Sequence, residues 1–495
     1  MITFQRVASA ALGLITTPII LNLLGVEDYG LYTLIVGFVG ALTFVNWSLT
    51  ITTQRYVAFA IGENNLLSQH KAFVNSMLIH LCYAILIFTV IMVLGLLFTD
   101  SVLKIPIDKI ESAKTLLVLV SFISLITIIS VPYQGFLIAH ENFLLYALLN
   151  LSGSIFKLII AVILLVIPAT INKLEFYTEL LLVSAVLVFI ISMISTNAKY
   201  TETKFSLKYY DLKVVKEMMS FMSWNVFGSL AVMGRNQGVA VMLNIFFGVL
   251  VNAAYGIAMQ INSAMGLLTQ GIIGAISPKI LKSAGSNNNE IMMVRMFQMT
   301  KLSFLFASFF AIIFLNQAPF ILKLWLRNVP DCAVIFCQMI ILFSLSTSLS
   351  GGLQTVFNAI GKIKVYSLYV STILILNLPI AYVMFKLGYE SYTIFLVAIF
   401  LEMIAMGFRI WLLKKHITFS VTAYLKMLFL NCLLPVLFLG VGSHYLYLII
   451  TNDFLLFVIN IVFMILFFPI IVYNFSLDAV EREQFSELLR EIKIK

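Results

Sequence analysis

Long apolar runs, each bounded by a short polar break, repeat along the whole chain. Fourteen can be counted, at 3–24, 30–53, 73–98, 114–138, 143–167, 176–197, 219–247, 253–277, 302–322, 334–358, 365–386, 391–411, 425–448 and 454–475. A helix of about 20 apolar residues crosses a hydrocarbon core of about 30 Å. Bare backbone amides and carbonyls find no partner in lipid, so runs of this length are predicted to be helices. They are too long for the strands of a membrane barrel, which use about 9–11 residues. The expected fold is an all-α integral membrane protein with about 14 transmembrane helices. The first run carries Arg6 as its one charge and has no small-residue cleavage site, and a second run follows at once. It is expected to be a retained span rather than a removable signal.

Composition narrows the class. Of 495 residues, 61% are hydrophobic and 11% charged, against about 45–50% and about 25% in soluble domains. A soluble enzyme, a secreted disulfide scaffold and a disordered chain are excluded. The loops at 99–113 and 198–218 are the longest on their sides, and neither can hold a catalytic domain. No phosphate-cradling Gly-rich loop or nucleophile elbow occurs. Cys332 and Cys337, five apart, fall on different faces of a helix with no histidine near, so they read as packing residues. No catalytic residue, metal site or cofactor is expected.

The net charge of +9 reads as topology rather than as a nucleic-acid surface. With the N-terminus inside, 22 of the 31 lysines and arginines fall on the inner side and seven on the outer. That asymmetry predicts an even number of spans and both termini cytoplasmic.

The halves resemble each other. Leu21-Asn22, Gly25-Val26 and Tyr29-Gly30 reappear as Leu243-Asn244, Gly248-Val249 and Tyr255-Gly256. Gly62-Glu63-Asn64-Asn65 reappears as Gly285-Ser286-Asn287-Asn288. Gln134, Ala139 and Tyr146 match Gln354, Ala359 and Tyr366 at a constant offset of 220. A repeat of six spans keeps its orientation, so two parallel, pseudo-symmetric six-helix lobes are expected, with substrate between them. The expected division is an N-lobe at 1–197, a cytoplasmic linker at 198–218 with five lysines, a C-lobe at 219–413, a C-terminal hairpin at 414–475 and a cytoplasmic tail at 476–495, with a short amphipathic helix from Asp478 to Lys495.

Polar residues recur at helical spacing in three spans. Gln5, Arg6, Ser9, Gly13, Thr16 and Thr17 share an arc of about 120°. Tyr146, Asn150, Gly153, Ser154 and Lys157 share one of about 100°. Asn225, Gly228, Ser229, Arg235 and Asn236 form a third stripe, with Gln237 at its margin. Small and amide residues also serve helix packing. A cation does not, so Lys157 and Arg235 are expected to line a cavity. Glu402 lies seven residues before Arg409, on the same face; it is either a structural partner of Arg409 or a titrating carboxylate for ion coupling. Net positive charge suits an anionic substrate, since arginine grips phosphate bidentately and lysine acts as a point charge.

Several of these stretches resemble Wzx-type polysaccharide flippases. They are Thr17-Pro18; Leu24-Gly25-Val26-Glu27-Asp28-Tyr29-Gly30-Leu31-Tyr32; Pro132-Tyr133-Gln134-Gly135; and the run from Trp224-Asn225 through Arg235-Asn236-Gln237-Gly238 to Gly256-Ile257-Ala258. Family members usually carry a longer approach to the first span, so the resemblance implies least at Arg6. It implies membership of the multidrug/oligosaccharidyl-lipid/polysaccharide exporter superfamily, with two lobes rocking between inward-open and outward-open states. It also implies a flippase of a bacterial cytoplasmic (inner) membrane that moves undecaprenyl-diphosphate-linked oligosaccharide, of O-antigen, capsule or related type, to the outer leaflet. On that reading Arg235 and Lys157 attract the diphosphate, with Arg6 and Arg55 near the cytoplasmic mouth. Asn225, Asn236, Gln237 and Asn150 hydrogen-bond the sugars. The implied partners are the lipid-linked substrate, the bilayer, and a glycan polymerase with other assembly proteins; a monomer that binds no nucleic acid is expected. The alternative is a MATE-like, H+- or Na+-coupled multidrug or small-molecule exporter, for which Glu402 is the evidence. A membrane glycosyl polymerase would need a large outer loop, and a major-facilitator transporter would need a basic loop motif that Gln54-Arg55-Tyr56 does not supply.

Overall fold

A computed structural model of the chain describes residues 2–42, 45–101, 109–168, 171–326, 329–478 and 481–483. Among these residues the regular structure is helical, with no strand. The chain packs as two units, Met1–Ser229 with Leu281–Asn287, and Leu230–Ile280 with Asn288–Lys495. Unit 1 contains α1 (Ile2–Leu42), α2 (Asn46–Gly62), α3 (Leu66–Ser101), α4 (Ile110–Ala139), α5 (Phe143–Val166), α6 (Lys173–Lys199) and both ends of α7 (Leu212–Gly285). Unit 2 contains the middle of α7, then α8 (Asn289–Trp325), α9 (Ala333–Ser348), α10 (Gly351–Ala359), α11 (Ile363–Ile375), α12 (Asn377–Lys386), α13 (Thr393–His416), α14 (Val421–Lys426), α15 (Leu434–Ile449) and α16 (Asp453–Ile471).

Among the described residues 13 segments are long and apolar enough to cross a membrane, where the sequence pattern counts fourteen. The difference lies at the expected second span, 30–53. There α1 continues to Leu42 and α2 begins at Asn46 with only 17 residues, short of a full crossing. Residues 43 and 44 lie outside the described ones, as does the expected tail helix beyond 483.

The polar breaks that seemed to separate spans 1 from 2 and 7 from 8 are not loops. Each is a single glycine: Gly25 at φ 80° and Gly248 at φ 84°, with helix on both sides. That left-handed backbone is open to glycine at little cost and strained for other residues. Both glycines sit in the repeated Leu-Asn…Gly-Val stretch. The other repeated motif also has a physical cause. Asn64 (φ 53°) and Asn287 (φ 55°) end α2 and α7 in the left-handed conformation that asparagine tolerates. Asn65 and Asn288 then start α3 and α8, their Oδ1 atoms accepting from the Ser68 and Ile291 amides at 3.0 Å each.

Packing inside unit 1 relies on small residues, because lipid offers little hydrophobic drive between helices. Gly135 lets α4 approach Thr53 of α2, and Gly95 of α3 receives Leu117 of α4. Thr53 and Ser76 share a hydrogen bond of 2.5 Å. The 200–211 segment is bound to α3. Asn75 donates to the Tyr209 carbonyl (3.1 Å) and accepts from the Asp211 amide (2.9 Å). Lys71 pairs with Asp211 at 2.9 Å and His70 stacks on Tyr209. The Lys71 hydrogen bond holds the Asp211 carboxyl below its usual range.

In unit 2 Gly352 of α10 lies against the Met296 carbonyl of α8. Pro319 cannot donate to the Leu315 carbonyl, and Gln338 of α9 supplies a donor at 3.1 Å instead. The C-terminal hairpin docks on α8 through a polar chain: Asn316 donates to Ser443 (2.6 Å), and Ser443 to Asn460 (2.8 Å).

Candidate functional site

Unit 1 encloses a cavity of about 490 Å³ between α1, α4, α5 and α6. The polar stripe of α5 faces it: Tyr146, Asn150, Gly153, Ser154 and Lys157 all line it. The stripe of α1 meets that of α5 at its edge, where Ser154 donates to Ser9 (3.0 Å) and Gln5 donates to the same hydroxyl oxygen (3.1 Å). From α4 come Ser124, Thr127, Ser130 and Gln134, and from α6 come Ser184 and Ser192.

The hydrogen bonds set what the cavity offers. Thr127, Ser130 and Ser184 donate to carbonyls of their own helices, and so present oxygen lone pairs to the cavity. Asn150 likewise gives its amide to the Tyr146 carbonyl at 2.8 Å. Lys157 is exposed, has no acidic partner among the described residues, and is the one charged residue in the lining. The cavity therefore combines a ring of acceptors with one cation.

Unit 2 holds a second arrangement. Arg235 lies in a small pocket with Asn236, Tyr255, Asn262, Phe343 and Asn377. Its guanidinium stands 5.0 Å from the centre of the Phe343 ring and donates to Asn236 Oδ1 at 3.3–3.4 Å. Elsewhere in the unit, Arg409 Nη1 donates to Glu402 Oε1 at 2.5 Å and to Ser350 at 2.9 Å. Ser350 also donates to Glu402 (3.0 Å), and Arg409 Nε donates to the Tyr366 hydroxyl (3.2 Å). All four groups are buried. Of the two readings of Glu402, the pairing with Arg409 is the one this geometry describes.

Residues 225–383 match the MatE family model. Several solved structures are similar over most of the chain. One is MATE in complex with MaD3S, at a TM-score of 0.71 and 15% identity, covering 86% of this chain and 94% of that one. Another is an outward-facing conformation of a multidrug resistance MATE family transporter of the MOP superfamily, at 0.69 and 15%, covering 84% and 94%. This chain has the MATE fold. A third match with that fold is a MOP superfamily transporter from Pyrococcus furiosus, at 0.65 and 14%, covering 84% and 94%. Its binding pocket is described as having reverse polarity, suggesting a different function. No curated protein matches the sequence. The matches support the fold, not the finer resemblance to Wzx-type flippases.

The expected binding residues are placed unit by unit. Lys157 and Asn150 line the unit 1 cavity; Arg235 and Asn236 line the unit 2 pocket. Arg6, half-buried in α1, lies outside both linings, and its field reaches Tyr146. Arg55 stacks on Tyr56 (4.8 Å) and Phe221 (4.7 Å), within unit 1. Asn225 returns its amide to the Phe221 carbonyl of its own helix at 3.0 Å. Gln237 is exposed. The α4 liners were missed in the sequence, although Ser124, Thr127, Ser130 and Gln134 recur at helical spacing and so share a face.

Proposed function

We propose that the chain is a membrane transporter, not an enzyme, that exports a small solute by alternating between inward-open and outward-open states, with the unit 1 cavity as its binding site. The observation that carries this reading is the cavity itself. Its volume of about 490 Å³ suits a small organic molecule, whose sites span about 300–1,000 Å³. It also gathers polar faces from several helices of a chain with only 11% charged residues. One lysine among oxygen acceptors fits an anionic amphiphile that also carries hydroxyl or amine donors. A cationic drug would require carboxylates, and the lining has none. The reverse-polarity description of the similar Pyrococcus furiosus protein supports letting pocket charge decide the cargo. We place the protein in a bacterial cytoplasmic membrane, from the motif resemblance, with both termini inside, from the charge asymmetry of its loops. Glu402 is given no ion-coupling role, because Arg409 and Ser350 already hold it.

A second reading, flipping of undecaprenyl-diphosphate-linked oligosaccharide alongside a glycan polymerase, rests on the motif resemblance and on Lys157 as a phosphate partner. Size counts against it, since a diphosphate with several sugars exceeds the cavity. The test is uptake of an anionic and a neutral dye into proteoliposomes. A charge-assisted contact contributes about 1.5–3 kcal/mol, so Lys157→Gln should cut anionic transport by about tenfold or more. Lys157→Arg should retain most of it, and neutral transport should change little. Equal anionic transport by wild type and Lys157→Gln would remove this reading. Loss of surface glycan with unaltered efflux in a deletion strain would replace it with the flippase.

A further inference from the structure

We propose that unit 2 carries a resident small anion, of halide size, on Arg235. The argument starts from charge. Arg235 is only 8% exposed and makes no ion pair with a carboxylate among the described residues. Its polar partner is the amide oxygen of its own neighbour, Asn236. Glu402 acts on it electrostatically, but that carboxylate is bound to Arg409 at 2.5 Å. Two arginines against one glutamate leave this buried group with one net positive charge. An uncompensated charge away from water is costly, and a counter-ion is the direct remedy.

The pocket is built to receive one. Asn377 is 2% exposed and its Oδ1 has no hydrogen-bond partner among the described residues; the amide turned over aims its N–H group into the pocket in place of that oxygen. Asn262 uses its Oδ1 on the Ser344 hydroxyl at 2.7 Å, which leaves its N–H donors without an acceptor there. Arg235 Nη1 is likewise without an acceptor. These donors and the cation converge on a space of about 30 Å³, enough for one or two water-sized occupants. A tetrahedral oxyanion exceeds it; chloride or bromide does not. The ring of Phe343 against the guanidinium closes one side and limits hydration. Arg235, which the sequence suggests for the substrate diphosphate, becomes the holder of a structural anion.

The proposal does not depend on the transport reading, and its test reads a different site. The purified full chain in detergent is melted in chloride, bromide, gluconate and sulfate at equal ionic strength. Chloride and bromide should each raise the melting temperature over gluconate by about 3 °C or more, while sulfate should not. Arg235→Met should lose the halide response, and Lys157→Gln should keep it. If Arg235→Met does not assemble, Asn377→Leu and Asn262→Leu, which keep the cation and remove pocket donors, should raise the bromide concentration for half-maximal shift at least tenfold. A halide response absent in wild type, matched by sulfate, retained in full by the pocket variants, or lost in Lys157→Gln would overturn the proposal.

Discussion

The buried Glu402–Arg409 pair gives the sharpest separation of structural from transport roles. Both side chains are almost fully enclosed, at 3% and 6% exposure, and share a 2.5 Å contact. Ser350 bridges them and Tyr366 takes a further guanidinium donor. Removing one partner strands the other charge away from water, which costs about 3–5 kcal/mol in buried pairs. Glu402→Gln or Arg409→Met alone should therefore lower the melting temperature by roughly 6–10 °C, taking about 2 °C per kcal/mol for a body of a few hundred residues. Replacing both at once leaves no stranded charge. Buried pairs exchanged for apolar residues of similar volume are often neutral or better, so Glu402→Met/Arg409→Met should recover most of the loss. The assay is fluorescence-detected melting in detergent, followed by dye uptake in proteoliposomes. If Glu402 is purely structural, the double variant regains both stability and uptake. A double variant that melts like wild type yet transports nothing would refute this reasoning and return Glu402 to ion coupling.

Two further outcomes follow from unit 1. Burial, with Lys282 and Lys199 nearby, pushes the His140 imidazole down to about 4, from an ordinary value near 6.5. The unfolded chain then takes up a proton that the folded one refuses, so the stability His140 contributes is fully present above about pH 6.5 and is lost as pH falls toward 4. His140→Phe keeps a ring between Phe136 and Tyr200 and should flatten that part of the melting profile; an unchanged slope would count against the assignment. The second outcome concerns the repeated glycines. A methyl group on Gly62 would strike the Lys282 carbonyl oxygen, and one on Gly285 the Phe59 carbonyl oxygen, both immovable backbone. Gly62→Ala and Gly285→Ala should each cost about 2–3 kcal/mol, while Gly407→Ala, with open space around it, should melt like wild type or higher.

What could be read from the sequence divides by range. Apolar runs announce membrane helices because lipid leaves the backbone no other choice, and nearly every run became one. The α5 stripe was legible for the same local reason: five residues sharing one arc need a polar environment, and the cavity is that environment. Glu402 and Arg409 were legible as a pair because seven residues are two helical turns. Two features depend on longer range. Gly-Val-Glu-Asp-Tyr-Gly reads as a loop, yet helix continues through it because one glycine absorbs the whole change of direction at φ 80°. Lys157 and Arg235 are alike in charge and in lying on polar stripes, but the linings around them are built by different units. Periodicity fixes which face of a helix is polar and says nothing about which other face it meets. Ser350 and Tyr366, which complete the Glu402 network from α11 and the turn before α10, were invisible on that ground. The same limit decides how the two cations should now be read. Lys157 faces a cavity of about 490 Å³ and Arg235 a space of about 30 Å³, which is why the roles proposed for them differ: a solute for the first, a small anion for the second.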